Sequence, residues 1–216
     1  MRIAIVGSGL MGSKLGTLFA RAGHEVVFSY ARSQKKLERL AKEAGGRAYA
    51  GSPAEAVADA DAVLLAVHWS RVDDVLAQAG SLSRKTVLTC SLPMTKNDSR
   101  MVLGLTTSGA EVLAARLRKA HVVSAFSTAP SEVLFSVFDK RKRKTRPDLV
   151  FCGNHKGAKK TAAKLIRDVG FNPVDLGELS AARYIEPFSL LVAEIAYNRS
   201  TGPELGYRFE HFPENA

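Results

Sequence analysis

The sequence has few cysteines, the residues whose disulfides stabilise small secreted domains, and it has no apolar run long enough to cross a membrane. It contains only two cysteines, Cys90 and Cys152, and each lies in an apolar run instead of a spaced disulfide framework. A membrane-spanning helix needs roughly 20 consecutive apolar residues, and no stretch approaches that length. The first predicted strand starts so close to Met1 that no signal peptide fits before it. We therefore expect a reduced, cytoplasmic protein with no disulfide scaffold, no membrane partner and no assigned metal site.

Acidic residues are scarce relative to basic ones. The 31 lysines and arginines exceed the 21 aspartates and glutamates, and the formal net charge is +10. Part of this excess lies in one block, Lys140 to Lys144, with Arg146 beyond it. Such a block is typical of a nucleic-acid patch, of a solvated loop, or of a surface that attracts an anionic tail on a substrate. Because no nucleic-acid motif or interleaved aromatic accompanies it, we favour the solvated loop and expect no nucleic-acid partner.

A glycine-rich motif directly follows the first apolar run. Residues 3–6 predict a buried strand, and Gly7, Gly9 and Gly12 come after it. In a dinucleotide-binding turn the first glycine allows the sharp turn, the second lets backbone approach the pyrophosphate, and the third lets the next helix pack closely on the strand. Apolar residues at helical spacing follow, from Leu15 to Ala22. This order of strand, turn and helix predicts a dinucleotide site, with the helix N-terminus directed at the phosphates.

The end of the second predicted strand lacks the acidic residue that an NAD site uses to bind the ribose 2′-hydroxyl. The residues that follow Tyr30 are Ala31, Arg32, Ser33, Gln34, Lys35 and Lys36. Arginine, serine and lysine would hold a 2′-phosphate that a carboxylate would repel. We therefore predict NADP over NAD. The alternative is that Arg32 and Lys35 only cap the surface helix predicted over 34–44.

The remaining pattern predicts an α/β fold: a Rossmann-type doubly wound parallel sheet with a small C-terminal helical appendage. Further strands are predicted at 47–50, 62–67, 86–90, 122–126, 148–152 and 172–176, with helices at 52–60, 108–119 and 155–169. Capping boxes are predicted at Ser52 and Ser108. A last helix starts near Ser180 and carries the apolar stripe Ile185, Phe188, Val192 and Ile195. We divide the chain into an NADP-binding domain, 1–178, and a segment, 179–216, that closes the pocket or mediates dimerisation.

Three predicted loops lie at the carboxyl ends of strands, where open α/β sheets bind ligands. They contain His68 and Trp69, then Ser91 and Pro93, then Ser127 and Thr128. Trp69 is either a contact of the cofactor or a loop aromatic at the sheet edge. His68 is a possible general acid or base, but nothing in the sequence indicates a partner for it.

With these motifs in view, the chain resembles the NADP oxidoreductases that use the deazaflavin coenzyme F-420. The resemblance covers nearly the whole length. It rests on 7–12, 23–27, 67–69, 122–128 and 173–177, and on the C-terminal motifs Leu179-Ser180-x-x-Arg183 and Gly202-x-Glu204-Leu205-Gly206.

This resemblance implies hydride transfer between NADP(H) and a flavin-like acceptor, coenzyme F-420 or a flavin, usually in a homodimer. It implies that Ser8, Leu10 and Met11 lie at the pyrophosphate. It implies that Tyr30, Arg32 and Lys35 lie at the 2′-phosphate, and that Val67, His68 and Trp69 lie beside the adenosine side of the cofactor. The loop with Ser91 keeps the family's proline at Pro93 but changes its neighbours.

At position 127 the sequence departs from the family, which has a histidine near the acceptor ring. Related membrane metalloreductases, whose cytoplasmic domain is similar, have an asparagine there, and this chain has Ser127. Hydride transfer needs mainly the positioning of two rings and the exclusion of water, so no acid–base pair is required. The catalytic residues are therefore unknown, with Ser127, Thr128 and Pro93 as candidates for the acceptor pocket.

Two alternatives stay open. The first is an NADPH-dependent reductase of a small carbonyl or imine substrate, which would need a proton donor, and only His68, Ser127 and Tyr184 offer one. The second is a non-catalytic NADP-binding sensor module.

Overall fold

The computed structural model describes residues 1–212, which contain one eight-stranded sheet. The strands are β1 (Arg2–Val6), β2 (Glu25–Ser29), β3 (Ala48–Ala50), β4 (Ala62–Leu65), β5 (Thr86–Thr89), β6 (His121–Ser124), β7 (Asp148–Gly153) and β8 (Asn172–Asp175). Their spatial order is β3-β2-β1-β4-β5-β6-β7-β8. The order reverses at β1, between β2 and β4. The carboxyl end of β1 is therefore the topological switch point, where open α/β sheets bind ligands.

The helices are α1 (Leu10–Arg21), α2 (Gln34–Ala44), α3 (Pro53–Ala58), α4 (Val72–Gln78), α5 (Gly109–Arg116), α6 (Val133–Asp139), α7 (Lys156–Asp168) and α8 (Ala182–Tyr197). They cover both faces of the sheet. Side chains of α1, α2, α6 and α7 share one apolar core with the sheet, and those of α3, α4, α5 and α8 share the other. The predicted α/β doubly wound fold is confirmed. Helix α6 lies in a stretch for which the sequence analysis assigned no element.

One pairing in the sheet differs from the all-parallel prediction. β1 to β6 run parallel, but β7 runs antiparallel to β6, with Val123 opposite Gly153 and Ser124 opposite Cys152. All six residues of β7 are buried. A strand buried on both faces is a continuous apolar run whichever way it points, so its hydrophobic pattern does not encode its direction.

The two predicted capping boxes differ in outcome. At α3 the box is complete, because Ser52 accepts from the backbone N–H of Glu55 and Glu55 accepts from that of Ser52. At α5 Ser108 accepts from the backbone N–H of Glu111 at 3.1 Å. The Glu111 carboxylate, however, accepts from the Ser108 hydroxyl and from both Nε and Nη2 of Arg183 on α8. At α5 the Glu111 carboxylate therefore pairs with Arg183 instead of accepting from the Ser108 backbone N–H, and the capping box is only half formed.

Helix α8 packs on the sheet domain through part of its predicted apolar stripe. Ile185 and Val192 are buried, whereas Ile195 is exposed in the single chain, so the sheet domain covers only part of the predicted stripe. Ile195 instead shares the outer surface with Tyr184 and Leu191, which are 68% and 54% exposed. The predicted stripe therefore faces two sides of the helix, and the sheet domain buries only one of them.

The segment after α8 returns to the sheet and pairs with the start of β7. The backbone N–H of Asp148 donates to the carbonyl of Tyr207 at 2.8 Å, and the Tyr207 hydroxyl accepts from the N–H of Val150. The same hydroxyl lies 2.8 Å from the Thr128 hydroxyl. These bonds hold residues 207–209 on the edge of β7. Among residues 1–212, the helices are all too short or too polar to span a membrane.

Candidate functional site

Two positions at the β1–α1 junction, Gly7 and Gly12, accept only glycine. Gly7 has φ +109°, and a Cβ there would lie 2.4 Å from the carbonyl oxygen of Ala66. A Cβ at Gly12 would lie 1.8 Å from the carbonyl oxygen of Gly7, so α1 packs as close to β1 as backbone allows. By contrast, a Cβ at Gly9 would have no heavy atom within 4 Å. Two of the three glycines are therefore required by the protein's own packing, and Gly9 leaves open space at the loop surface.

The N-terminus of α1 has no side-chain cap. In this respect α1 resembles α4, α6 and α8, whereas α2, α3, α5 and α7 each begin with a Ser or His side chain that accepts from a first-turn N–H: Ser33, Ser52, Ser108 and His155. At α1 the N-cap is Gly9, which has no side chain to accept from the N–H groups of Leu10, Met11 or Gly12. First-turn N–H groups and the positive end of a 12-residue helix form a ready anion site.

A groove of about 940 Å³ opens in front of this helix end. Eight of the predicted cofactor residues line it: Gly7, Ser8, Gly9, Leu10, Tyr30, Arg32, Val67 and His68. Ser8 is held in place from both sides, because its N–H donates to the carbonyl of Tyr30 and its hydroxyl donates to the carbonyl of Ser29. The volume lies at the upper end of the range of about 300–1,000 Å³ that small-molecule sites occupy.

The cationic end of the groove contains two residues that were not among the predicted cofactor residues. Lys36 and Arg71 line it together with Arg32, and Asp74 is its only carboxylate among the residues that the structure describes. Lys35 and Ser33 are exposed on the first turn of α2, outside the lining, and Ser33 caps that helix. Lys36 is adjacent to a predicted residue and could have been chosen from helical spacing. Arg71 comes from a different segment, and no local signal identifies it.

Tyr30, Arg71 and Asp74 form a polar cluster at this end of the groove. The Tyr30 hydroxyl donates to Asp74, Arg71 Nε donates to the Tyr30 oxygen at 3.1 Å, and Arg71 pairs with Asp74 at 3.2 Å. The hydrogen bond from Tyr30 lowers the pKa of the Asp74 carboxyl, whereas partial burial raises the pKa of Tyr30. Tyr30 also has φ +55°, an unusual conformation for a bulky residue at the end of a strand. The cluster keeps the Arg71 guanidinium at the groove wall.

The predicted cofactor residues that follow β4 and β5 lie on the groove wall, next to it or behind it. His68 lines the groove and has partners after all, since its Nε2 lies 2.9 Å from Asp98 and its Nδ1 lies 2.8 Å from the Ser70 hydroxyl. Trp69 is part of the apolar core on the α5 side, where it faces Gly109. Ser91 is buried and donates to the carbonyl of Val67 at 2.7 Å, so it supports the groove wall from behind.

A second, smaller cavity of about 260 Å³ lies between the glycine-rich loop, the exit of β6 and helix α8. Its lining is mostly apolar and comprises Leu10, Met11, Cys90, Leu92, Phe126, Ser127, Ala129, Pro130, Ser131, Ser189, Val192, Ala193 and Tyr197. Leu10 belongs to both cavities. Burial raises the pKa of the Cys90 thiol to about 12, so it is not a thiolate nucleophile at neutral pH.

The three candidates for the acceptor pocket separate in the structure. Ser127 lines the second cavity and accepts a hydrogen bond from the Ser189 hydroxyl of α8 at 3.1 Å. Thr128 is 1% exposed and contacts Tyr207 instead. Pro93 lies against Gly109, away from the cavity lining. Phe126, just before Ser127, has φ +71° and is fully buried, so the turn that presents Ser127 is held in a strained conformation.

Helix α8 is fixed beside this cavity by a buried carboxylate. Glu186 is 2% exposed, and its two oxygens accept from the backbone N–H groups of Gly109 and Ala110 at 2.9 and 3.0 Å. Burial raises the pKa of Glu186 to about 7, against the lowering effect of these two donors. Within residues 1–212, no group of three His, Cys, Asp or Glu side chains is arranged to hold a metal ion.

Comparison with known proteins connects this site to a family. Residues 2–93 match the family described as NADP oxidoreductase, coenzyme F-420-dependent, which confirms the resemblance predicted from the motifs. A curated relative, the metalloreductase STEAP3 of Rattus norvegicus, is 28% identical over 189 residues. That alignment covers 88% of this chain but 36% of the relative, so the chain spans about a third of the curated protein that it matches.

Solved structures share the fold over most of the chain. A proposed F-420-dependent NADP reductase from Arthrobacter sp. FB24 superposes with a TM-score of 0.85 at 21% identity, covering 98% of this chain and 100% of its own. A hypothetical protein from Sinorhizobium meliloti has a TM-score of 0.73 at 29% identity, with 84% and 88% covered. A reductive aminase from Aspergillus terreus in complex with NADPH has a TM-score of 0.63 at 20% identity, with 89% and 60% covered. The likenesses below 25% identity show the fold alone.

Proposed function

We propose that this chain, whose residues 2–93 match the NADP oxidoreductase family, transfers a hydride between NADP(H) and a flavin-like acceptor, coenzyme F-420 or a flavin. The observation that carries the proposal is the uncapped N-terminus of α1, which opens onto a large groove with a cationic far end. Bound NADPH would supply the hydride, and the chain's own residues bind, orient and shield the reacting rings.

The groove fits a dinucleotide with a 2′-phosphate. The N–H groups at Leu10 and Met11 would bind the pyrophosphate, and the open space at Gly9 lets those oxygens approach the backbone. At the far end, Arg32, Lys36 and Arg71 provide three positive charges against the one carboxylate of Asp74. This excess favours NADP over NAD, because a phosphate gains charge-assisted hydrogen bonds from arginine and lysine.

The second cavity is the proposed position of the acceptor ring. It shares Leu10 with the nucleotide groove, so a nicotinamide beyond the pyrophosphate would meet an acceptor ring there. At about 260 Å³ it is smaller than most complete ligand sites and suits a ring system without its tail. Ser127 would orient the acceptor by a hydrogen bond, and the apolar walls would exclude water.

Helix α8 would close the acceptor pocket in this proposal, as expected for segment 179–216. Ser189, Val192, Ala193 and Tyr197 form the wall of the second cavity on that side. The exposed side chains of Tyr184, Leu191 and Ile195 support a homodimer formed through the outer face of α8. Sedimentation equilibrium would distinguish a dimer from a monomer. We also propose that the protein is cytoplasmic.

The proposal is tested by mixing the purified protein with NADPH and, separately, NADH, and then adding F-420, FMN or FAD while absorbance at the nicotinamide band is followed. Preferred NADPH binding and oxidation by one acceptor would establish the reductase and identify its partner. Tight NADPH binding without oxidation by any of the three would favour the sensor module. Failure to bind either nucleotide would overturn the argument from α1.

A carbonyl or imine reductase remains the alternative within the enzyme class. Of its proposed donors, Tyr184 is 68% exposed on the outer face of α8 and His68 lies in the nucleotide groove. Only Ser127 lies in the second cavity, and a serine hydroxyl is a weak proton donor. NADPH oxidation by small ketones or imines, in the absence of any flavin, would favour this alternative.

A further inference from the structure

A second large groove, of about 930 Å³, lies outside the proposed active site. It shares no residue with the nucleotide groove or with the second cavity. Three separate segments bring basic side chains to it: the loop after α6, the end of α7, and the segment after α8. These side chains are Lys142, Arg143, Lys144, Arg146, Arg167, Arg208 and His211. The basic block predicted to be a solvated loop is thus one wall of a concave surface.

The positive charge of this groove is largely uncompensated. No ion pair within residues 1–212 involves Lys142, Arg143, Lys144, Arg146 or Arg167. The groove contains two carboxylates. Glu210 pairs with Arg208 at 3.6 Å, and Asp148 is 4% exposed. Asp148 is already engaged, since it accepts from the Asn172 amide and from the backbone N–H of Phe209. Like charges held together in a concave surface raise the local concentration of anions.

Specific bonds hold the third wall in place. Tyr207 pairs with the backbone of Asp148, and the N–H of Phe209 donates to the Asp148 carboxylate at 2.6 Å. Arg208 lies between these two anchored residues, so the fold itself brings its charge next to the basic loop. Arg143 and Arg146 also line a smaller neighbouring cavity at α6, of about 180 Å³, which places them between the two depressions.

We infer that this groove is a binding site for a small ligand with several phosphate or carboxylate groups. Arginine forms paired hydrogen bonds with both kinds of anion, and four of the seven basic side chains are arginines. The groove volume suits a small molecule. Nucleic acid is disfavoured because the groove offers a single accessible aromatic ring and no row of stacking platforms: Phe171 is 1% exposed, whereas Phe209 is 52% exposed and packs edge-on against Tyr207.

The test is calorimetric titration of the full chain with inorganic tripolyphosphate, in the presence of saturating NADPH so that the nucleotide groove is filled. The variant Arg143→Gln/Arg146→Gln removes two positive charges from the groove. The control Arg118→Gln/Lys119→Gln removes the same charge from two exposed side chains between α5 and β6. We expect the groove variant to bind about tenfold more weakly or worse, because it loses charge-assisted hydrogen bonds, and the control to bind like wild type. Added salt should weaken wild-type binding.

Equal binding by the groove variant and the wild type would overturn the inference, as would loss of wild-type binding once NADPH is present. If the first variant melts early, Lys142→Gln/Lys144→Gln changes two exposed side chains of the same loop. An oligonucleotide that binds far more tightly than tripolyphosphate would also overturn it, in favour of a nucleic-acid surface. None of these readouts requires turnover, so the proposed reductase activity and this site succeed or fail separately.

The anionic groups could belong to the acceptor or to a separate polyphosphate. If they belong to the acceptor, Arg143→Gln/Arg146→Gln raises the apparent KM for FMN, which carries a phosphate, and leaves that for riboflavin unchanged. If they belong to a separate molecule, both KM values stay unchanged while tripolyphosphate binding is still lost. Both results support the site, and they identify which molecule fills it.

Discussion

Alanine substitutions at two glycines of the same motif should have different effects, one on NADPH binding and one on stability, which makes them a sharp test of the nucleotide site. Gly9 has φ −77° and ψ −160°, an extended conformation open to any residue, and no atom lies within 4 Å of its virtual Cβ. We therefore expect Gly9→Ala to change the free energy of unfolding by no more than about 0.5 kcal/mol. In the proposed site, however, the pyrophosphate of NADPH would approach this backbone closely. NADPH should bind about tenfold more weakly or worse, equivalent to a loss of about 1.4 kcal/mol.

Gly12→Ala is the matched comparison, since its methyl group meets the protein itself. The new Cβ would lie 1.8 Å from the carbonyl oxygen of Gly7 and 3.2 Å from Ile5 Cγ2, so α1 must move away from β1. Overpacking of this kind costs about 1–3 kcal/mol or more. For a chain of this size each kcal/mol lowers the melting temperature by roughly 2–4 °C, so we expect a fall of about 2–12 °C.

Circular-dichroism melting and calorimetric titration with NADPH measure the two effects. The expected pattern is wild-type melting with weak NADPH binding for Gly9→Ala, and early melting for Gly12→Ala. If Gly9→Ala binds NADPH as tightly as the wild type, the pyrophosphate does not lie on this loop. In that case the assignment of the groove is refuted, whatever the family match says.

Two further predictions concern the groove and helix α8. Arg71→Gln should weaken NADPH binding about tenfold and leave NADH binding nearly unchanged, as a 2′-phosphate contact requires; parallel titrations with both nucleotides check this, and an equal loss for both would contradict it. Glu186 should make folding less stable as the pH rises from about 4.5 to about 7, because in that window the folded carboxyl, with its raised pKa, keeps a proton that the unfolded chain has released. Urea unfolding across this range should show that the free energy of unfolding of the wild type falls by about 3 kcal/mol relative to that of Glu186→Gln. If the free energies of the two proteins change in parallel with pH, the raised pKa is refuted.

The glycine-rich loop and most of the order of elements were predictable because their causes are local. Gly7 and Gly12 are required by contacts within one strand–turn–helix unit, and α2 begins and ends where the sequence pattern predicts, at Gln34 and Ala44. The capping box at Ser52 is likewise formed by residues three apart. In each case the interacting groups are neighbours in the chain, so residue spacing alone indicates the geometry.

The residues at the cationic end of the groove could be predicted only in part. The lack of an acidic residue after Tyr30 was visible in the sequence and indicated NADP. The sequence did not show which basic residues line the groove. Arg71 reaches the groove from the segment before α4, and on α2 it is Lys36, one position along the helix from Lys35, that faces the groove. His68 similarly gains Asp98 as a partner from 30 residues away. Partners of this kind depend on how distant loops meet.

The sequence by itself determined the fold class, the strand–turn–helix geometry of the glycine-rich loop and the family resemblance, and it predicted NADP over NAD, because these depend on short-range periodicity, turn chemistry and charge. Only the tertiary structure decided the rest. It orients β7 against β6, separates Thr128 and Pro93 from the cavity that Ser127 lines, and docks α8 through Glu186 on the backbone of α5. It also turns a basic loop into one wall of a groove. The physical reason is common to all of these: burial and hydrogen bonding are satisfied between segments far apart in the chain, and no local pattern records which segments will meet.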